Sequence, residues 1–404
     1  MIGDWRTPPY TCDVIYLDNN ATTMPLPEVA HVMGESLLNN WGNPSSVHRF
    51  GQAARAHVED AREQVAQLVG AGAREIIFCS SGTESASLAL RGVVQAHAKR
   101  RLIVTSKLEH SAVRNLAEQL ESDGVCQVIW VEHATNGELH LERLRLLVKK
   151  HAHEIALVSL MSVNNETGVA LCVREVGEIC RESGVLFHTD ATQSVGRQPF
   201  DVADAMVDFA TFTAHKLHGP KGVGALFARR GAPITPQLVG GPQERDRRAG
   251  TENVPGVVGF GVAALAARQW LKQSAGVAPN TLRDEFERLI QTSIPDAVIN
   301  GIGATRVWNT SNIAFAHLEA EAIVLALSNA GVCASAGAAC SSGSLDPSPV
   351  LLAMGIAPVL AHASVRFSLS RFTTREDIVR AATIVCDCVR QLRARTGAAL
   401  KNVK

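Results

Sequence analysis

Between residues 75 and 230, short runs rich in β-branched and aromatic residues alternate with stretches of helical periodicity. The runs are Glu75–Ser80, Leu102–Ser106, Val125–Glu132, Ile155–Val163, Val185–Asp190, Phe209–Thr213 and Val223–Ala228. Amphipathic stretches such as Leu139–Lys150 and Val173–Ser183 lie between them. Strands separated by helices predict βαβ units and a mostly parallel sheet, hence an α/β fold. Ligands of such sheets sit beyond the carboxyl ends of the strands, so the residues just after each run are the ones to inspect.

After Gly231 the texture changes. A Gly/Pro/Arg-rich loop from Gly240 to Thr251 leads into a helical stretch from Asn253 to about Gln273. Beyond residue 280 helices and strands mix, ending in an amphipathic helix from Arg375 to about Arg395, which predicts a second, smaller α+β domain with a boundary near 265. A length of 404 residues fits two domains better than one core.

Lys plus Arg and Asp plus Glu are equal at 39 each, with no long single-sign block, so neither nucleic acid nor an anionic membrane is expected as a partner. The start of the chain lacks the basic and apolar regions of a signal peptide, and the apolar stretch Val254–Ala267 is too short to span a bilayer. A cytoplasmic protein is expected. Nine irregularly spaced cysteines argue against a disulfide framework. Cys386 and Cys388 are two apart on a helix and point to opposite sides, so no metal site is expected there.

Four segments carry candidate chemistry. Ser80-Ser81-Gly82-Thr83-Glu84 follows a strand and opens a helix, where free N–H groups suit a phosphate; an ordinary N-cap has the same appearance. In Phe187-His188-Thr189-Asp190, the carboxylate at a strand end is placed either to keep a pyridine nitrogen protonated or merely to cap a helix. In Thr213-Ala214-His215-Lys216, the lysine closes an apolar run and is one of only two lysines, with Lys221, between 151 and 271, which points to imine chemistry rather than to the surface. Ser335-Ala336-Gly337-Ala338-Ala339-Cys340-Ser341-Ser342-Gly343-Ser344 places a cysteine on a tether almost without bulk, the setting of a nucleophile that must move.

Together these segments resemble the cysteine desulfurases of the aspartate-aminotransferase-like pyridoxal-phosphate enzymes, most closely the nitrogen-fixation branch. Further marks are Tyr16-Leu17-Asp18-Asn19-Asn20-Ala21-Thr22-Thr23, Gly42-Asn43-Pro44-Ser45-Ser46-Val47-His48, Glu109-His110, Asn164-Asn165-Glu166-Thr167-Gly168, Arg248-Ala249-Gly250-Thr251-Glu252-Asn253 and Arg366-Phe367-Ser368-Leu369-Ser370-Arg371. The resemblance implies the type I fold of pyridoxal 5'-phosphate transferases. A large cofactor domain would cover 21–265, and a small domain, from 1–20 and 266–404, would carry the catalytic cysteine loop. It implies Lys216 as the cofactor's covalent anchor, Asp190 at the pyridine nitrogen, His110 stacked on the ring and Gln193 at the ring hydroxyl. Asn165 would lie beside the ring and the substrate carboxylate. Gly82, Thr83, Thr213 and His215 would hold the phosphate, with Thr251 from a neighbouring subunit of a homodimer. Arg366 would grip the substrate carboxylate, and Cys340 would take sulfur from L-cysteine as a persulfide, leaving alanine. An iron–sulfur scaffold, either general or serving nitrogenase, is the implied acceptor.

Two departures from the family pattern stand out. Ala336 and Ala338 replace serines before the thiol, and Ala214 replaces the usual glycine, adding a methyl expected beside the phosphate. Rival readings are a selenocysteine lyase, another pyridoxal-phosphate aminotransferase or β-lyase, and, least favoured, an idle scaffold subunit.

Overall fold

The computed structural model describes residues 14–97, 99–273, 280–336 and 346–401. The chain divides into two compact units: Thr22–Asn165 with Val169–Val277, and Met1–Ala21 with Glu166–Gly168 and Ala278–Lys404.

The first unit is built on seven strands, β1 (Ile76–Cys79), β2 (Leu102–Ser106), β3 (Gln127–Val131), β4 (Ile155–Ser159), β5 (Phe187–Asp190), β6 (Phe209–Thr213) and β7 (Gly224–Ala228). Their order is β1-β7-β6-β5-β4-β2-β3. Only β7 is antiparallel to its neighbours, so the other six strands end at one edge of the sheet.

Strict alternation sends successive side chains to opposite faces. On one face Phe78, Val104, Val158, Phe187 and Phe212 pack with Val58 and Val65 of α1 (Arg49–Leu68), Val176 of α4 (Val173–Glu182) and Phe260 of α5 (Val254–Gln273). On the other, Ile77, Ile103, Leu157, Phe209 and Leu226 pack with Leu88 and Val93 of α2 (Gly82–Ala96) and Leu116 of α3 (Ser111–Ser122). A sheet covered on both sides explains why these strands read as continuous apolar runs.

Helix α5 is long and apolar enough to cross a membrane, but half of it is buried inside this unit. A Cβ on Gly261 would lie 2.7 Å from the Cα of Ala61, so glycine lets α5 pack closely on α1. The helix runs unbroken through position 265.

The second unit carries a four-stranded antiparallel sheet of β8 (Val298–Ile299), β9 (Thr310–Ala314), β10 (Ser335–Ala336) and β11 (Ser364–Ser368), in the order β10-β11-β9-β8. Helices α6 (Asn280–Ser293) and α7 (Arg375–Lys401) accompany it, and Phe286 of α6 meets Phe367 of β11 edge-on at 5.0 Å.

Candidate active site

The residues at the strand ends of the first unit gather most of the expected site. Because Phe209 faces α2, Thr211 and Thr213 on the same strand face α2 as well; by the same alternation so do His188 and Asp190 on β5. A polar strip thus lies under the start of α2.

Ser81 caps α2, its Oγ accepting the Glu84 N–H at 3.1 Å. Gly82 opens the helix; a Cβ there would have Thr192 Oγ1, Thr211 Cγ2 and Thr213 Cγ2 within 3.8 Å. Behind the turn, a Cβ on Gly224 would fall 2.6 Å from the carbonyl carbon of Ser81, so β7 needs glycine at this point for the turn to exist. Thr83 is exposed at the helix entrance.

Asp190 is buried at the end of β5. Its Oδ1 accepts the Thr192 N–H at 2.9 Å, and its carbonyl takes both the N–H and the hydroxyl of Ser162 at 3.0 Å. Among the described residues no protein donor reaches Oδ2. One carboxylate oxygen is fixed and the other is available, as a protonated pyridine nitrogen requires.

Lys216 ends a 3₁₀ turn, Ala214–Lys216, directly after β6. Its carbonyl accepts Arg197 Nε at 3.3 Å, and the guanidinium of Arg197 also donates to Gln193 Oε1. Arg197 therefore ties Gln193 to the lysine turn, a role the sequence motifs did not reveal. His215 beside the lysine contacts Thr22 Oγ1 through Nδ1 at 3.2 Å, and burial, aided by the charges of Lys216, Lys221 and Arg197, draws its ring down to about 4. A neutral ring at ordinary pH keeps a single N–H to offer an anion.

His110 is the N-cap of α3, with Nδ1 accepting the Ala112 N–H at 3.1 Å. That bond leaves the proton of a neutral ring on Nε2. Asn165 is the last residue of its segment in this unit; Asn164 before it donates to the Leu108 carbonyl at 2.9 Å, joining the loop after β4 to the loop before His110.

Two expectations change. The Ala214 methyl is fully buried in the core and meets Gly219, whose own Cβ would lie 2.8 Å from it, so the substitution packs the core and not the phosphate site. Thr213 Oγ1 donates to the Val223 carbonyl at 2.9 Å, which leaves it lone pairs to offer and no proton. Thr251 is exposed at the end of the loop from Gly240.

Arg366 belongs to the second unit, buried on β11, with Nη2 on Asp18 Oδ1 at 2.9 Å. Cys340 lies outside the described residues, as does Ala338. Ala336 is half-buried on β10. For pyridoxal phosphate, the open oxygen of Asp190, the lysine at the strand end and the glycine-lined helix start fit the ring nitrogen, the aldehyde and the phosphate.

The aminotransferase class-V family matches residues 15–380. A cysteine desulfurase of Trichormus azollae is 45% identical over 381 residues, 94% of each chain. The cysteine desulfurase NifS of Azotobacter vinelandii is 43% identical over 380 residues, 94% of this chain and 93% of its own. Among solved structures, a NifS-like protein matches with a TM-score of 0.85 at 34% identity, covering 93% of this chain and 99% of its own. One from Rickettsia africae matches at 0.80 and 31%, covering 92% and 98%.

Proposed function

The chain belongs to the class-V aminotransferase family, and on that premise we propose that it is a pyridoxal-phosphate-dependent cysteine desulfurase that moves the sulfur of L-cysteine onto Cys340. The observation that carries this reading is the grouping of Lys216, Asp190 and the Gly82 turn on one polar edge of the sheet, each on the element the chemistry requires.

The bound cofactor would withdraw electrons from the substrate Cα and loosen the bond from Cβ to sulfur. Lys216 would anchor it and, as a free amine, would carry the Cα proton, with the Nε2 side of His110 assisting. Asp190 Oδ2 holds the proton on the ring nitrogen, Gln193 meets the ring hydroxyl, and Asn165 lies beside ring and substrate. The Gly82–Thr83 turn and His215 would donate to the phosphate, beside Thr213, whose hydroxyl proton is committed to the Val223 carbonyl. Arg366, oriented by Asp18, holds the substrate carboxylate through its planar fork. Cys340 bonds to the substrate sulfur and becomes a persulfide while the carbon skeleton leaves as alanine, so one cysteine yields one alanine and one sulfur atom on the protein.

A homodimer completes the site by bringing Thr251 from the second copy. Support comes from the exposed apolar side chains Met24, Leu37, Leu38, Trp41, Val47 and Val239, and from Glu252, whose two oxygens are buried without a hydrogen bond. A cytoplasmic location and an iron–sulfur scaffold as sulfur acceptor follow from the same reading, and the seven described cysteines are free thiols.

The test is to incubate purified protein with L-cysteine and weigh the peptide carrying Cys340. A gain of one sulfur together with alanine release is expected. Cys340→Ser should abolish both while keeping the yellow colour of the bound cofactor. An aminotransferase or β-lyase would keep turning over in that variant, and that result would replace the present reading.

A further inference from the structure

Glu84 is a peculiar residue to find in the first turn of α2. A carboxylate there suits the helix dipole, but it stands next to the place where a phosphate dianion would bind, and like charges at such range oppose each other. The structure answers this charge specifically. Arg248 Nε donates to Glu84 Oε1 at 2.7 Å and Nη2 to Oε2 at 3.1 Å, a bidentate pair in which the two side chains are only 20% and 19% exposed. Glu84 Oε2 also accepts the Ser80 N–H at 2.7 Å, so the carboxylate is turned back toward the incoming strand.

Arg248 is aimed by a loop that is itself pinned. Glu244 accepts two bonds from the buried Arg62, at 2.6 and 2.8 Å, and the Phe78 N–H at 3.0 Å. Arg247 donates to the Arg74 carbonyl at 2.9 Å, and the Gly250 N–H reaches Gln243 Oε1 at 3.0 Å. The guanidinium is thus delivered to Glu84 by a rigid frame, and its fork matches the carboxylate geometry.

We propose that Arg248 is a positioning residue of the cofactor's phosphate site, one that neutralises Glu84 and holds it away so that the helix start can accept a dianion. This rests on the assignment of the phosphate to the Gly82–Thr83 turn. The pair leaves no net charge beside the site, whereas loss of Arg248 alone would leave an uncompensated carboxylate next to the anion.

The test compares two probes on the cofactor-free protein by absorbance titration: pyridoxal phosphate, and pyridoxal, which lacks the phosphate. For Arg248→Met, affinity for pyridoxal phosphate should fall about tenfold, the size expected of one uncompensated like charge in a partly screened setting. Affinity for pyridoxal should change less than about twofold. Glu84→Gln alone should bind pyridoxal phosphate at least as well as the unaltered protein, and Glu84→Gln with Arg248→Met should recover to within about threefold. Equal losses for both probes, no loss for either, or a double variant as weak as Arg248→Met would each overturn the proposal. A failure of the underlying phosphate assignment looks different: the unaltered protein would not prefer the phosphorylated probe, or Thr83→Val would leave that preference intact.

Discussion

Glu109 shows how one buried side chain links two parts of the site. It precedes His110, is 1% exposed, and accepts the Met161 N–H on Oε1 at 2.6 Å, while Oε2 is buried without a hydrogen bond. Burial, reinforced by the charge of Asp190, holds its carboxyl well above the usual range. An unfolded glutamate ionises near 4.3. A raised folded value means that stability is present below that pH and declines as pH rises above it, because unfolding then releases a proton. Glu109→Gln keeps the acceptor for Met161 without the ionisation, so it should melt at a higher temperature than the unaltered protein at pH 8, with the gap closing toward pH 5. Glu109→Ala leaves the Met161 N–H without a partner and opens a cavity, at a cost of about 2–4 kcal/mol. A Glu109→Gln protein less stable at pH 8 than at pH 5, relative to the unaltered chain, would mean the buried group is ionised. Neither Glu109 nor Arg197 was assigned a role from the sequence. Lys216, Asp190 and Gly82 announce themselves by sitting at the ends of apolar runs; a buried glutamate or arginine takes its meaning from a partner on another segment, which linear order does not reveal.

At the scale of elements, Leu102–Ser106 and Phe209–Thr213 occupy the expected positions because sheet strands covered on both faces are apolar throughout. The run Ile155–Val163 is shorter as a strand and stops at Ser159, although the Leu160 and Ser162 N–H groups still meet the His188 and Asp190 carbonyls at 3.1 and 3.0 Å before Asn164 turns its side chain to the Leu108 carbonyl. The Gly240–Thr251 loop holds the largest surprise. Glu244, Arg245 and Asp246 adopt left-handed angles, φ 47°, 59° and 60°, without a glycine among them. Such conformations cost roughly 1–2 kcal/mol per residue and persist where the surroundings over-determine them. Here the buried ion pair of Arg62 and Glu244 does so, together with the Arg62 bond to the Ile76 carbonyl at 3.0 Å. Arg62→Met should therefore destabilise the protein by about 3–5 kcal/mol in urea unfolding, since it leaves a buried carboxylate unpaired. Arg62→Met with Glu244→Leu should recover part of that loss but not all, because the Phe78 N–H then loses its acceptor and the Ile76 carbonyl still lacks its donor. Asp246→Gly, at an exposed left-handed position, should instead stabilise by about 0.5–1 kcal/mol. A destabilised Asp246→Gly would show that the turn is not strained.

For the molecule taken whole, the buried titratable groups set how stability depends on acidity. His133, His188 and His215 are each drawn down to about 4, in every case chiefly by burial; His140 adds to this at His133, neighbouring cations add at His215, and Asp190 opposes it at His188. All three belong to the unit with the seven-stranded sheet, where His188 lies between the hydroxyls of Ser159 at 2.8 Å and Thr211 at 3.0 Å. Unfolded histidines take up protons near 6.5, well before the folded ones do. The contribution of these three histidines is complete above pH 6.5 and falls as pH drops toward 4, their unfolding being coupled to the uptake of nearly three protons at the steepest point. Glu109 acts in the opposite sense from about pH 4.3 upward, so it offsets part of that uptake and leaves maximum stability close to pH 6.5, where the histidine contribution is complete. Urea unfolding of the cofactor-free protein from pH 4.5 to 8 measures that slope. His188→Gln, which preserves one donor and one acceptor between the two hydroxyls, should reduce the proton uptake by about one. An unchanged slope in that variant would place the proton elsewhere and show that His188 is already charged in the fold, a state that burial of the ring disfavours.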